Sequence, residues 1–351
     1  MIRVLVVDDS AFVRLTVTEI LKEAGMEVVG TAKNGKEAVE KVMKLKPDVV
    51  TLDINMPVMD GLTALKIIME KCPTPVIMLS AYTKEGAKET FEALKLGAVD
   101  FVTKPQGALA DLSSIADELI EKIKIAVEVS PNILRLQNLK RFKGEVVRGN
   151  WKKCRSDLCV LIGSSTGGPS ALEQIIPRLP ADFPAPIFVV QHMPPMFTQQ
   201  LAERLDSISE LEVKEAENNE RVRNGVVYIA PGGKHMKVRR ALDIVRIKIV
   251  DGRPVNAVKP SVDVTAESVV QAYGSNVIGV ILTGMGNDGA YGMKLIRTAG
   301  GKTIACSEDT CVVFGMPKAA IELGAIDVVK PLYEIAEQIV RFVEVKCNGG
   351  S

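Results

Sequence analysis

The apolar run Leu158-Cys159-Val160-Leu161-Ile162 leads into Gly163-Ser164-Ser165-Thr166-Gly167, a G-x-S-x-G pattern followed by residues suited to a helix. Small residues around Ser165 permit the sharp strand-to-helix bend that lifts a nucleophilic hydroxyl clear of a sheet, and the N–H groups of the following turn face an anion there. A serine nucleophile needs a base, and the chain holds only two histidines, His192 and His235. His192 directly follows the apolar run 186–191, so it sits at a strand end and can reach a serine on a neighbouring strand. A carboxylate behind the imidazole would fix its tautomer and stabilise the imidazolium. Asp288, in the glycine-rich stretch 284–289 beyond another apolar run, suits that role. Rivals stay open: Ser164 as nucleophile, Asp263 as orienting acid, and His235 as base or as a residue of the substrate pocket. The order Ser, His, Asp differs from that of α/β-hydrolases, so the elbow does not by itself assign that fold.

A second constellation lies nearer the N-terminus. Asp8 and Asp9 end the first strand-like run, Asp53 ends the third, Ser80 ends the fourth, and Lys104 follows the fifth. In a parallel sheet these positions converge on one crevice at the carboxyl edge. Three clustered carboxylates repel one another unless a hard cation sits among them, which points to Mg²⁺. The lysine can then balance a phosphoryl group carried by one carboxylate.

The elements that must position these residues read as two α/β series. In the first, the runs Val4–Val7, Glu27–Thr31, Val49–Leu52, Val76–Leu79 and Phe101–Val102 alternate with amphipathic stretches, which implies a doubly wound parallel sheet with helices on both faces. A helical stretch is expected over Leu112–Val129. Residues 131–155 carry eight Lys or Arg (Arg135, Lys140, Arg141, Lys143, Arg148, Lys152, Lys153 and Arg155) against Glu145 alone, the signature of a linker. In the second series the expected strands are Leu158–Gly163, Pro186–Gln191, Val226–Ala230, Ile244–Val250, Val277–Thr283, Lys302–Ala305 and Asp327–Val329. The partial polar–apolar alternation over Asp243–Ile249 suggests one arm of an antiparallel hairpin. The expected division is residues 1–125, a basic linker 126–155, and a catalytic domain 156–347.

Composition narrows the function classes. The apolar share is 47% and the charged share 25%, and 44 Lys and Arg nearly cancel 43 Asp and Glu, which argues against nucleic acid or an anionic membrane as the main partner, while no long apolar span argues for membrane insertion. The start at Ile2–Val7 enters a strand with no basic leader, so a cytoplasmic location is expected. The six cysteines form no CxxC pattern, which favours reduced structural thiols over zinc. Gly163–Gly168 lacks a G-K-[ST] ending and G-x-G-x-x-G spacing, which weakens a nucleotide cradle. A long second α/β series is unlike a compact helical DNA-binding module.

Over its first 125 residues the chain resembles response-regulator receiver domains, through Val7-Asp8-Asp9-Ser10, Leu52-Asp53-Ile54-Asn55-Met56-Pro57 and Thr103-Lys104-Pro105. The resemblance implies a flavodoxin-like fold in which Asp53 accepts the phosphoryl group. It further implies that Asp8, Asp9, Asp53 and the Asn55 carbonyl hold Mg²⁺, that Ser80 and Lys104 bind phosphoryl oxygens, and that Phe101 is the aromatic switch. With the elbow, Gln191-His192-Met193, Pro231-Gly232-Gly233-Lys234-His235-Met236 and Thr283-Gly284-Met285-Gly286-Asn287-Asp288-Gly289, the whole chain is similar to the CheB family of chemotaxis protein-glutamate methylesterases. That similarity implies Ser165 as nucleophile, His192 as base, Asp288 as orienter, and the Thr166 and Met285 N–H groups as oxyanion hole, with no cofactor for the ester chemistry. The implied substrates are methylated glutamates, and selected glutamines, on the cytoplasmic parts of methyl-accepting chemoreceptors. The implied phosphodonor is a chemotaxis histidine kinase.

Overall fold

The computed structural model describes residues 1–105, 115–129, 145–151, 154 and 157–348. The chain divides into two compact units, Met1–Arg141 and Phe142–Ser351.

The first unit alternates strictly: β1 (Arg3–Val7), α1 (Ala11–Glu23), β2 (Glu27–Ala32), α2 (Gly35–Leu45), β3 (Val49–Asp53), α3 (Gly61–Lys71), β4 (Val76–Ala81), α4 (Lys84–Leu96), β5 (Asp100–Lys104) and α5 (Ala116–Glu128). Its sheet is parallel in the order β2-β1-β3-β4-β5. Helix starts are set by side-chain caps: Ser10, Asn34, Asp60 and Thr83 each accept an N–H from the first turn of α1 to α4. Strand order reverses between β1 and β3, so Asp8, Asp9 and Asp53 flank the switch point where such sheets bind ligands. The helix expected from Leu112 is α5; residues 112–114 fall outside the described residues.

The second unit contains β6 (Cys159–Ser164), α6 (Gly168–Ile175), β7 (Ile187–Gln191), α7 (Phe197–Asp206), β8 (Glu212–Glu215), β9 (Val226–Ile229), β10 (His235–Ala241), β11 (Ile244–Val250), α8 (Val262–Tyr273), β12 (Val277–Ile281), α9 (Ala290–Thr298), β13 (Lys302–Cys306), α10 (Met316–Glu322), β14 (Val328–Lys330) and α11 (Leu332–Asn348). Seven strands form a parallel sheet, β14-β13-β12-β6-β7-β9-β8, while β10 and β11 form a separate antiparallel hairpin. Every residue of β6, β7 and β12 is buried, as continuous apolar runs covered on both faces must be. Each large apolar side chain so buried contributes roughly 1.5–3 kcal/mol. Here the order reverses between β6 and β12, which brings the Ser165 elbow beside residues 283–288.

Two strands escaped the sequence reading. Edge strand β8 reads Glu-Val-Lys-Glu, with one fully buried side chain, and β10 carries Lys237, Arg239 and Arg240, so neither shows an apolar run. The expectation of reduced thiols also needs correcting. Cys154 and Cys347 form a disulfide across 193 residues of sequence, a separation that spacing patterns cannot reveal. Cys72, Cys159, Cys306 and Cys311 are free. Of the basic residues expected in the linker only Arg148 lies among the described residues. Nearby Trp151 packs edge-on against Phe183, centroids 5.7 Å apart, and its Nε1 donates to the Asp182 carbonyl at 3.0 Å, so this stretch joins the second unit.

Candidate functional site

Ser165 follows β6 directly, and its N–H donates to the Thr283 carbonyl at 3.0 Å. Gly167 turns the chain into α6 with φ +77°. On the next strand the register pairs Ser164 with Gln191, and the His192 N–H donates to the Ser164 carbonyl at 3.1 Å, so Ser165 and His192 leave adjacent strand ends side by side. Ser165 is partly exposed, whereas Ser164 beside it is buried.

The Ser164 hydroxyl is fully buried and donates to Gln191 Oε1 at 2.6 Å. Gln191 Nε2 in turn donates to the Ser165 carbonyl at 2.9 Å and the His192 carbonyl at 3.2 Å. One carboxamide therefore ties together both strand ends, and Ser164 serves that brace. A Cβ on Gly168 would lie 1.9 Å from Gln191 Oε1, so the elbow needs glycine there. In the sequence Gln191 stands out only as part of the Gln191-His192-Met193 motif, with no role of its own, although a polar residue closing the apolar run 187–190 is the available signal.

His192 Nε2 lies 2.9 Å from Asp288 Oδ2. Asp288, 2% exposed, also accepts from Ser261 Oγ at 2.7 Å, Asn256 Nδ2 at 2.8 Å and the Val262 N–H at 2.6 Å. Burial pushes its carboxyl up, but hydrogen bonds from His192, Ser261 and Asn256 outweigh this and hold it below the usual range. An ionised Asp288 fixes the proton on Nε2 and leaves Nδ1 as the basic ring nitrogen. Asn256 and Ser261 were also missed: Asn256 sits with positive φ (53°) in the turn closed by Val255 and Val258, and Ser261 caps α8.

Asp263 stands one layer back. It accepts from the Gly289 and Gly292 N–H groups at 3.0 and 2.7 Å and from Asn256, which anchors the loop that presents Asp288. His235 requires a correction. It is 3% exposed, its Nδ1 accepts the Ser261 N–H at 3.2 Å and its Nε2 meets the Arg253 carbonyl at 3.0 Å. With both nitrogens engaged by backbone, it is support behind Asp288 and offers no atom to a pocket.

Thr283 links the two segments that carry Thr166 and Met285. Its hydroxyl donates to the Thr166 carbonyl at 2.9 Å and accepts the Val313 N–H at 2.9 Å, while Gly284 donates to the Val313 carbonyl at 3.0 Å and accepts from Gly315 and Met316. A Cβ on Gly284 would come 2.7 Å from Ser165 Cβ, so its absence lets the segment bearing Met285 approach the elbow.

In the first unit Lys104 Nζ lies 2.7 Å from both Asp8 Oδ2 and Asp53 Oδ1. Oxygens of Asp8, Asp9 and Asp53 all fall within 4.8 Å of one another. Burial pushes the Asp53 carboxyl up to about 6, against the pull of Lys104 and with Asp8 adding to the rise. Burial alone would lower the Lys104 ammonium, but Asp53 and Asp8 raise it, so the lysine stays charged between them. Asn55 follows two residues after Asp53, and its side chain donates to Glu89 at 3.0 Å. The Ser80 hydroxyl is turned toward α4, donating to the Gly86 carbonyl at 3.1 Å and accepting from Thr90 at 2.7 Å. Phe101 is buried, with Lys122 Nζ 5.0 Å from its ring centre.

Comparison with known proteins bears on both units. The family model of CheB methylesterase matches residues 160–339, and that of the response regulator receiver domain matches residues 4–116. A relative from Archaeoglobus fulgidus, named protein-glutamate methylesterase/protein-glutamine glutaminase, is 78% identical over 346 residues, covering 99% of each chain. The chain belongs to the CheB methylesterase family. A Thermotoga maritima relative of the same name is 51% identical across 97% of this chain and 98% of its own. The crystal structure of the Thermotoga maritima CheB methylesterase catalytic domain superposes with a TM-score of 0.52 at 52% identity, covering 53% of this chain and 98% of that one. The α/β folds expected for a CheB receiver and esterase are those observed. No described helix is long and apolar enough to cross a membrane.

Proposed function

We propose that this chain is a phosphorylation-controlled serine hydrolase that removes methyl esters from glutamates of methyl-accepting chemoreceptors and deamidates chosen glutamines. The observation that carries this reading is the 2.9 Å contact of His192 with the buried, hydrogen-bonded Asp288, held beside the Ser165 elbow by the β6–β7 register.

His192 Nδ1 takes the Ser165 proton as Oγ attacks the γ-carbonyl, and the Thr166 and Met285 N–H groups receive the developing oxyanion. The C–OCH₃ bond breaks, and the imidazolium returns its proton to the departing methanol. Water, deprotonated by the same nitrogen, then opens the acyl-enzyme and regenerates Ser165. A glutamine follows the same course with ammonia as leaving group. One oxyanion donor is worth about 2.7–4 kcal/mol in related chemistry.

In the receiver, Asp53 is the phosphoryl acceptor, with a chemotaxis histidine kinase as the donor. Three carboxylates with oxygens within 4.8 Å of one another and a neighbouring carbonyl form an oxygen set of the kind Mg²⁺ prefers, so Asp8, Asp9, Asp53 and Asn55 would hold it. When bound, that ion would offset the charge of an incoming phosphoryl group. Lys104 is already placed to neutralise the acyl phosphate, whereas Ser80 must leave Gly86 and Thr90 to reach it. The unphosphorylated receiver restrains the esterase, and a differential of about 1.4 kcal/mol would change the active population tenfold.

The decisive test is methanol release from methylated receptor membranes. Wild-type protein should release it and Ser165→Ala should not. Equal release by both would refute the assignment.

A further inference from the structure

Across the β10–β11 hairpin Lys237 pairs with Lys248 and Arg239 with Arg246, while Arg221 bridges to Arg246 from the other side. Side chains alternate along a strand, so Met236, Val238, Val245 and Ile247 take the buried face and these five cations share the other. Like charges placed directly opposite destabilise a sheet, and folding supplies no reason for two such rows in succession. Several neighbouring acids are engaged elsewhere: Glu217 and Glu220 with Lys214, Glu212 with Arg223, and Asp251 with Lys259, while Asp243 lies in the hairpin turn beyond the last of these cation rows. The side chains of Arg246 and Lys248 donate to Asn219, a neutral residue, and among the described residues neither forms an ion pair. In a chain of net charge +1 this is a pronounced concentration of positive charge.

The face is also continuous with the candidate triad. His235 precedes Lys237 by two residues, hence on the same side of the strand, and its ring receives the N–H of Ser261, whose hydroxyl holds Asp288. The rows of cations therefore begin about 7 Å from His235 and recur at about that interval, since two strand residues span roughly 6.8 Å. Carboxylates one turn apart on a helix are separated by roughly 5–6 Å, close enough for both rows to be engaged together.

We infer that this cationic face docks an acidic helical segment of the polypeptide whose ester or glutamine enters the Ser165 site. The inference rests on the hydrolase reading and deepens it: active-site chemistry selects the bond, and the hairpin selects the protein. Leu242, 94% exposed at the tip, leaves a lipid surface as the alternative occupant to be tested.

The test uses the full chain with Lys237, Arg239, Arg246 and Lys248 all changed to Gln. A synthetic helical peptide with Glu at four-residue spacing, and its Gln counterpart, are titrated against parent and variant in a Ser165→Ala background, at low salt and at roughly 0.3 M salt, where screening is strong. The Glu peptide should bind the parent at least about tenfold tighter than the Gln peptide, and both the variant and high salt should erase that preference. In the Ser165 background the variant's KM for methylated receptor should rise about tenfold, with turnover of a small neutral ester unchanged. Its thermal midpoint should equal or exceed the parent's, because cross-strand repulsion is gone. Equal peptide affinity of parent and variant, or a parallel fall in small-ester turnover, would overturn the inference. So would tighter binding of anionic vesicles or duplex DNA than of the Glu peptide. Failure of the hydrolase reading shows separately, as a parent that releases no methanol, and leaves the peptide titration to decide the docking face.

Discussion

Replacing Ser165, His192 or Asp288 by Ala should each remove most esterase activity without adding up, because proton transfer and its orientation form one unit; serine or histidine loss in a comparable triad costs about 10⁶ in kcat and aspartate loss about 10⁴. Single and double variants assayed by methanol release check this, and additive losses would contradict a shared mechanism. Ser164→Ala should retain labelling by a serine-directed phosphonate while losing about 1 kcal/mol of stability, because its hydroxyl serves Gln191. The receiver carries a second residue-scale signature. The Asp53 carboxyl, about 6 in the fold against 3.8 as an ordinary aspartate, binds its proton more tightly when folded. Its contribution to stability is thus full below about pH 3.8 and lost as pH rises through about 6. Asp53→Asn should therefore stabilise the receiver by up to about 3 kcal/mol near pH 7.5 and by almost nothing near pH 4. Urea melts at the two pH values read the difference, and a gain independent of pH would assign it to another cause.

At the scale of elements, the site depends on how closely backbones approach. Gly284→Ala would drive a methyl group to 2.3 Å from Met316 Sδ and 2.7 Å from Ser165 Cβ, so it should lower kcat far more than it raises KM for a small ester. Gln191→Leu leaves Ser164 and two carbonyls without their shared partner and should cost about 1–3 kcal/mol in denaturant melts. A Gln191→Leu protein as stable as its parent would show that the brace is dispensable. The sequence made the strand ends legible because buried parallel strands are continuous apolar runs, and Asp8, Asp53, Ser165 and His192 all sit where those runs stop. It did not reveal β8, whose charged edge lacks such a run, nor β10, whose cations interrupt the pattern. Asn256, Ser261 and Gln191 were illegible as a set, since each reaches its partner only after strands and turns distant in sequence have come together. His235 misled for the same reason: a histidine in a Gly-rich turn looks available until the fold closes both its nitrogens.

At the scale of the whole molecule, a receiver domain and a CheB methylesterase domain share one chain, and the proposed control predicts how they respond to separation. The expected linker over 126–155 would place a cut near Arg155, but Trp151 packs on Phe183 and Cys154 is bonded to Cys347, so that cut would remove two anchors of the second unit. A chain beginning at Phe142 keeps both. If the receiver mainly restrains the esterase, this shortened chain should demethylate receptors faster than the unphosphorylated full chain and ignore Mg²⁺ and acyl-phosphate donors. The full chain should respond to both together, and Asp53→Ala should abolish the response while leaving the basal rate. In the proposed control, an acyl phosphate on Asp53 would add charge and acceptor oxygens that can draw Ser80 from Gly86 and Thr90 and so displace the start of α4. Thr90→Ala frees Ser80 from one of those partners and should increase the fraction activated at a given donor concentration. Methanol release measured for the four proteins separates the possibilities: a shortened chain no faster than its unphosphorylated parent would exclude simple restraint and leave activation through contacts that the phosphorylated receiver itself makes.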